Sequence, residues 1–358
     1  MSSRQDTLGL QVGTNSTTTE RDVTAGAPSR SGTVRRVLVA ASLVLVAWVA
    51  WRAWPEITAA FDVMRTIRPS VLLFALLLEV GAVACLAQVY RRTLNAVGTS
   101  VGYAQGLQVS MGAFTLSRVL PGGGAAGAIW AARRLRGFGV PWAKAGTGVV
   151  IEGLLAMATL GAIVTAGAIG ALFRGHVTAR SVVAACVIAA VFAALGWATA
   201  ALVRSASARG ALFAFIERMV PRAQDRVVGW RAALDELALT MPPSRLMLPV
   251  VGWSAVNWGL DIAALWVVFA GLGLHMELGV LILGFGVANL VTALPHTPGG
   301  LGLVEAGMTG TYVALGIDTS VALAAVLAYR LISFWIPVLL GVPQYLRPPV
   351  GAGTGGVT

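Results

Sequence analysis

The stretch LPHTPGGLGLVEAG, residues 294–307, determines how this chain is built, and LPGGGAAG at 120–127 repeats its central part. The two Pro-Gly-Gly runs, at 298–300 and 121–123, lie 177 positions apart. Proline and paired glycines interrupt a helix and free its backbone polar groups. At membrane depth such an interruption is tolerated only where it is buried in protein or lines a polar cavity. We therefore predict that the two breaks form the working centre of the molecule.

The repeat extends beyond the two breaks. With the same offset, Gly-Ile-Asp at 316–318 falls on Gly-Val-Pro at 139–141 without a gap. An ionisable residue follows in each next helix, Glu152 in the first copy and Arg330 in the second, within one position of register. The chain is therefore predicted to contain two copies of one structural unit.

The composition of the chain is that of a membrane protein. Hydrophobic residues make up 57% of the 358 positions, and charged residues make up only 11%. The mean hydropathy is +0.79, so the chain could not expose a normal soluble surface. Several continuous apolar runs reach the ~20 residues that a helix needs to cross the bilayer. The predicted fold class is an all-α polytopic membrane protein.

The positive charge and the cysteines exclude several other classes. The net charge of +11 is carried mostly by short loops beside apolar runs, which indicates membrane topology rather than a nucleic-acid partner. The two cysteines, Cys85 and Cys186, lie inside apolar runs, so neither a disulfide framework nor a metal cluster is expected. No Ser-His-Asp or Cys-His pattern stands out. We expect no catalytic residue, no metal and no cofactor, and thus no enzymatic activity.

About six full spans and two shorter hairpins account for the apolar sequence. The spans that we predict are 37–54, 71–90, 145–171, 181–203, 247–271 and 321–346. The stretch 106–132 contains the first break and is too short for two crossings, so a re-entrant helical hairpin is predicted. Basic loops flank this hairpin, whereas the loops around the second break have no Arg or Lys. The two copies should therefore face opposite sides of the membrane, as an inverted repeat.

The remaining segments complete the predicted domain organisation. Residues 1–33 are predicted to form a disordered cytoplasmic tail, and residues 347–358 a disordered C-terminal tail. Between them, 34–346 forms the transmembrane domain. Its repeat halves are 71–171 and 247–346, and a basic cytoplasmic connector, 204–246, joins them. The connector is interpreted either as an interfacial helix on anionic lipid or as a solvated basic linker. Both termini are expected in the cytoplasm, and the protein in the plasma membrane.

Ionisable residues within or beside the apolar spans are the first group of candidate site residues. They are Glu79, Arg118, Glu152, Asp261, Glu305 and Arg330. A charge in hydrocarbon costs roughly 2.5–3.5 kcal/mol, so such residues usually face a bundle interior or a wet cavity. One interpretation is that they bind substrate in a polar cavity. The alternative, left open here, is that they only pair with one another.

The breaks provide the second group of candidate substrate-binding residues. These residues are Gly122, Gly123, Pro298, Gly299 and Gly300. A new half-helix is expected after each break, and its free N–H groups and positive dipole end favour an anionic group. Arg118 and Arg330 add positive charge. The carboxylates could balance these arginines, take up a proton or contact an amine on the substrate.

The same motifs resemble those of a known family. LPHTPGGLGLVEAG (294–307), AYRLISFWIPVLLG (328–341) and LPGGGAAG (120–127) are similar to the flippase-like family that includes the transmembrane region of lysylphosphatidylglycerol synthases. The pattern matches at Pro298, Gly299, Gly300, Glu305 and Arg330. This resemblance implies a polytopic fold with re-entrant hairpins, and handling of lipids or lipid-linked precursors across the membrane.

The first copy departs from the family pattern. Family members often carry an acidic residue just after the glycines, where this chain has Ala125 and Ala126. Members often also carry an arginine after the acid of the next helix, where Gly153 follows Glu152. In bifunctional members a soluble aminoacyl-transferase domain follows the membrane region. Here the chain ends shortly after the last span, so that activity is expected to be absent.

The leading functional hypothesis is a flippase for an anionic lipid or lipid-linked precursor, with membrane lipid as its partner. Arg330→Ala is expected to abolish transport while leaving folding largely intact, and proton coupling through Glu305 is a further hypothesis. The alternatives are a transporter of a small soluble anion, and a non-catalytic partner of a membrane glycosyltransferase or lipid synthase that docks on the connector 204–246. The sequence predicts no particular oligomeric state.

Overall fold

The structure, a computed structural model, describes residues 65–120, 123–173, 205–219, 241–292 and 300–346, with isolated positions between 51 and 62 and between 187 and 239. Its helices in chain order are α1 (Pro69–Ala96), α2 (Tyr103–Val119), α3 (Gly123–Gly137), α4 (Trp142–Phe173), α5 (Ala206–Met219), α6 (Leu248–Gly271), α7 (Leu278–Thr292), α8 (Leu303–Ala314), α9 (Thr319–Arg330), α10 (Ile336–Gly341) and α11 (Pro343–Leu346). A π-helical turn, Leu331–Trp335, joins α9 to α10. Within these described ranges every regular element is helical, which confirms the predicted all-α class.

Four of the predicted membrane spans are present in the described part of the chain. The helices long and apolar enough to cross a membrane are Pro69–Ala96, Trp142–Gly170, Leu248–Gly271 and Thr319–Tyr345, the last of which runs from α9 into α11. The chain is therefore a multi-pass membrane protein. The predicted spans 37–54 and 181–203 lie outside the described residues, apart from isolated positions, as do the tails 1–33 and 347–358.

Short helices stand at both predicted breaks. α2 and α3 have 17 and 15 residues, and α7 and α8 have 15 and 12, each short of the ~20 needed to cross the bilayer. The two members of each pair pack along one another. The first pair extends over 103–137, further than the predicted 106–132. Residues 121–122 and 293–299, at the centres of the breaks, lie outside the described residues.

α3 and α8 end in the same kind of turn. Gly139 and Gly316, which are 177 positions apart, have φ angles of +88° and +94°. In each turn the residue after the glycine donates its N–H to the carbonyl five residues earlier, at 3.2 Å in the first and 3.0 Å in the second, as in a Schellman motif. α4 and α9 each start three residues after the glycine. The register predicted from the sequence therefore holds in the backbone at this point.

The two halves pack against each other reciprocally. α1 lies along α6, α4 packs on α7, and α10 packs on α2. The last helices of each half thus contact the short helices of the other half. Close approach is possible because Gly286 faces Val164, where an added Cβ would lie 2.7 Å from a methyl carbon. Tyr345, in α11, also donates its hydroxyl to the Gly112 carbonyl in α2 at 2.5 Å.

The connector contains a helix of 14 residues, α5. α5 ends at Met219, two residues before Pro221. Phe213 is buried and lies under the Arg231 guanidinium, at 5.4 Å from the ring centroid. Phe215 is 61% exposed. The exposed aromatic side chain is consistent with the interfacial interpretation of this segment.

Candidate functional site

Charged side chains from both halves meet at one cavity. It lies where α1, α2 and α6–α10 converge, and its volume is about 90 Å³, which is room for several water molecules. The charged residues in its wall are Glu79, Arg118, Asp261 and Arg330. Four of the six predicted ionisable residues are therefore brought together, two from each half of the repeat. The polar side chains of Asn257, Asn289, Ser333 and Tyr329 also line the cavity.

Glu305 lies behind this wall and forms an ion pair with Arg330. The Arg330 Nε donates to Glu305 Oε1 at 2.5 Å, and both residues are only 5% exposed. Glu305 stands in the first turn of α8, where the helix dipole favours a negative charge. Arg330 is the last residue of α9. Glu305 therefore balances one of the two cavity arginines.

The two cavity arginines share one aromatic neighbour. The Arg118 Cζ lies 4.5 Å from the centroid of the Phe114 ring and 5.6 Å from that of Phe334. The Arg330 Cζ lies 4.4 Å from the same Phe334 centroid. Such cation–π contacts stabilise a guanidinium without neutralising it. Within the described ranges Arg118 makes no direct ion pair, so two positive charges converge on the Phe334 ring.

A cluster of two carboxyls and two hydroxyls also lies in the cavity wall. Tyr329 donates its hydroxyl to Asp261 Oδ1. The Asp261 carboxyl is also within hydrogen-bonding reach of the Glu79 carboxyl, and the Ser333 hydroxyl is within reach of that of Tyr329. Two carboxyls can hydrogen-bond only if one of them is protonated. A hydrogen bond between Glu79 and Asp261 therefore requires the two carboxyls to share a proton.

Of the other predicted residues, Glu152, Gly123 and Gly300 are described by the structure and are not in the cavity wall. Glu152, in α4, is within hydrogen-bonding reach of Tyr90 and is not part of the cavity wall. Gly123 is buried at the start of α3, and Gly300 is buried with a φ of +67°. Gly122, Pro298 and Gly299 lie outside the described residues.

Tyr329 and Phe334 are functional candidates that the sequence reasoning missed. Tyr329 lies 177 positions after Glu152, so the strict register of the repeat pointed to it rather than to Arg330. Phe334 belongs to the π-helical turn 331–335. Pro337 has no N–H to donate to the Ser333 carbonyl, so the regular α-helical hydrogen bond is missing there. The π turn lies at this place in the helix. Turns of this kind are frequent at functional sites.

Comparison with known proteins gives a family and several relatives. The family model for the lysylphosphatidylglycerol synthase TM region matches residues 36–341. A UPF0104 membrane protein of Methanothermobacter thermautotrophicus is 35% identical over 88 residues, which are 25% of this chain and 26% of that protein. A UPF0104 membrane protein of Pyrococcus horikoshii is 33% identical over 89 residues, 25% of this chain and 27% of the relative.

A bacterial relative is similar at lower identity. The inner membrane protein YbhN of Escherichia coli is 29% identical over 109 residues, which cover 30% of this chain and 33% of YbhN. The chain thus spans about a quarter to a third of the length of these curated relatives.

Proposed function

The chain belongs to the family of the lysylphosphatidylglycerol synthase TM region, and from that premise we propose that it moves an anionic lipid or lipid-linked precursor across the membrane. The observation that carries this proposal is the pair Arg118 and Arg330, one from each half, on the wall of one cavity and against one ring. Two guanidinium groups that converge in this way repel each other. A phosphate between them would relieve the repulsion and accept charge-assisted hydrogen bonds from both.

The size of the cavity supports binding of the head group alone. A cavity of about 90 Å³ with Arg118 and Arg330 in its wall suits a head-group phosphate, and in this proposal the acyl chains remain in the surrounding lipid. The half-helix ends at the breaks would add backbone N–H donors to the head group as it moves, from Gly122, Gly123, Gly299 and Gly300. Pro298 has no N–H and would only interrupt the helix. In this proposal the protein transports without chemical change of the lipid and is not an enzyme.

Alternating movement of two inverted repeats with re-entrant hairpins is the proposed mechanism. It is supported by the matching turns at Gly139 and Gly316 and by the reciprocal packing of α4 on α7 and of α10 on α2. Interrupted helices that meet at the interface of two repeats are typical of secondary transporters. We place the protein in the plasma membrane, with both termini in the cytoplasm.

A small soluble anion is the second candidate substrate. The observation in its favour is again the cavity volume, because about 90 Å³ would hold an inorganic phosphate in full. The two substrates are distinguished by competition: inorganic phosphate in excess should inhibit transport of a soluble anion completely and transport of a lipid only weakly.

The proposal is tested by reconstituting the full chain in vesicles and following fluorescent phosphatidylglycerol and fluorescent phosphatidylcholine between leaflets. We expect movement of the anionic lipid and little of the zwitterionic one. Arg118→Gln should reduce the rate about tenfold or more, because a hydrogen bond to a charged group is worth roughly 1.5–3 kcal/mol. The matched control is Arg133→Gln, which removes an exposed arginine of α3. Equal rates for Arg118→Gln and the wild type, or for the two lipids, would refute the proposal.

A further inference from the structure

The Glu79–Asp261 pair has no role in the anion site as described so far. Glu79 belongs to α1 and Asp261 to α6, and the long contact between these helices brings the two carboxyls together. Glu79 is 5% exposed, and its Oε1 has no hydrogen-bond partner among the described residues. A buried carboxyl oxygen without a partner is costly. This oxygen has almost no exposed surface of its own, but Glu79 is part of the cavity wall, so protonation is the change that remains open to it.

The charges that face this pair come from three other helices. They are Arg118 from α2, Arg330 from α9 and, behind Arg330, Glu305 from α8. The neutral hydroxyl of Tyr329 also faces it. With one shared proton the pair carries one negative charge, and Glu305 carries a second. In this charge state the two negative charges balance the two arginines, and the charged groups around the cavity sum to zero.

A bound head group would upset this balance. A phosphodiester brings one negative charge into a region that is poorly solvated, where a net charge is strongly disfavoured. Neutrality returns if the second carboxyl of the pair takes up a proton. Glu79 Oε1 is the oxygen available to receive it, and the only bond formed is its O–H bond, with the proton drawn from water.

We propose that Glu79 and Asp261 form a proton-binding site that takes up one proton for each singly charged head group bound between Arg118 and Arg330. Anion and proton would then cross the membrane together as a neutral unit. This inference rests on the proposed anion transport and adds the co-transported ion. It replaces Glu305 as the proton carrier, because Glu305 is held by its ion pair with Arg330.

A purely structural role makes a different prediction. If the shared proton serves only to join α1 to α6, the number of protons on the pair does not change when a head group binds. Proton uptake on binding therefore separates the two roles without any mutation.

The experiment uses the full chain in non-ionic detergent, in weak buffer with a pH indicator, and short-chain phosphatidylglycerol as the probe. We expect about one proton to be taken up per lipid bound. The affinity should then fall about tenfold for each unit of pH above the range in which the pair titrates, as linkage requires for one proton. Short-chain phosphatidylcholine, which has no net charge, should produce no uptake.

A variant with both carboxyls replaced, Glu79→Gln with Asp261→Asn, is the second measurement. It mimics the fully protonated pair, so it should bind phosphatidylglycerol without proton uptake and with an affinity independent of pH. The matched control is Asp62→Asn, which removes an exposed carboxyl at a distance from the cavity and should keep the uptake of the wild type.

The outcomes distinguish the two proposals. Binding of phosphatidylglycerol without proton uptake by the wild type would overturn the proton site and leave anion binding intact. No binding at any pH would overturn the proposed function itself. Proton uptake by the wild-type protein decides between the two roles. The test therefore remains valid even if the double variant does not fold.

Discussion

The two helix breaks share a position in the repeat but differ in what they contain. At the first break α3 begins on Gly123 itself and has no acidic residue in its first turn. At the second break α8 begins after Gly302, whose φ is +81°, and Glu305 stands in its first turn. The first break needs glycine for close approach, since a Cβ on Gly123 would lie 2.5 Å from the Ser117 carbonyl. The second break needs glycine because the positive φ of Gly302 is one that other residues rarely adopt.

The two copies therefore agree in backbone at the turns of Gly139 and Gly316, but their breaks differ in both the start of the helix and the charged residues. The first half places its cavity arginine before the break, on α2, whereas the second half places its ion pair after the break, between α8 and α9. A single cavity is then lined from both sides by unlike groups. The following predictions test this asymmetry, beginning with the largest expected effect.

Arg330→Ala should give the largest loss, in both transport and stability. It leaves Glu305 buried without its partner, and breaking a buried ion pair in this way costs about 3–5 kcal/mol. The expectation that folding would remain largely intact is thereby revised, because Arg330 is only 5% exposed. Unfolding in detergent measures the effect. Arg330→Ala combined with Glu305→Leu should recover most of the stability and none of the transport; a single variant as stable as the wild type would contradict the ion pair.

Glu305→Gln compared with Glu152→Gln tests the asymmetry directly. Glu305→Gln removes the charge that faces Arg330, and transport should fall about tenfold or more. Glu152→Gln keeps a carbonyl that can accept from the Tyr90 hydroxyl, so the change should be about twofold. Both variants are assayed for lipid movement at equal amounts of reconstituted protein. Equal losses would mean that the two halves contribute equally to the site.

Gly123→Ala should destabilise the first break by about 1–3 kcal/mol, the usual cost of forcing a methyl group into a packed region. Gly124→Ala is the matched control, because nothing lies within 4 Å of the added Cβ. At the second break Gly302→Ala has open space around the Cβ but an unfavourable φ, with a cost of about 1–3 kcal/mol from strain alone. Unfolding measurements on the three variants would reveal these causes, and a destabilising Gly124→Ala would contradict them.

The smallest effect is expected at the turns that precede α4 and α9. Asp318 caps α9 and accepts hydrogen bonds from the Ser320 hydroxyl, the Ser320 N–H and the Val321 N–H. These bonds lower the pKa of Asp318, the Ser320 hydroxyl first. The corresponding residue before α4 is Pro141, which does not titrate.

A lowered pKa means that the cap stabilises the folded state above the unfolded pKa of the carboxyl, and that this contribution is lost as the pH falls through the folded pKa. Hydrogen-exchange protection of the first turn of α9 should therefore decrease on acidification, and that of α4 should not. Asp318→Asn should remove the pH response of α9. The same response in both helices would show that Asp318 is not its source.

Much of the architecture could be predicted from the sequence, because it depends on local composition. Apolar length located four spans that the structure contains, and Pro-Gly-Gly located both breaks. The shared offset also aligned Gly139 with Gly316, and the structure has the same kind of turn at both. The family resemblance is confirmed by the match over residues 36–341. Each of these signals lies within a short segment or in a repeat of one.

The site was predicted less well, because its contacts are long-range. The Glu79–Asp261 contact joins α1 to α6, and no period in the sequence links two such positions. Phe334 reaches the arginines from a π turn, and the extra residue in that turn shifts the helical register in a way that hydropathy does not detect. Glu152 was predicted from its charge and its register in the repeat, whereas the structure brings it within hydrogen-bonding reach of Tyr90.

The reciprocal packing also means that neither half of the chain should be stable when it is expressed alone. Since α4 packs on α7 and α10 packs on α2, each half would expose an apolar surface if it were produced alone. Two fragments cut within the connector 204–246 should therefore accumulate only when they are co-expressed. For the same reason two intact copies could exchange halves and form an interlocked dimer whose interior matches that of the single chain.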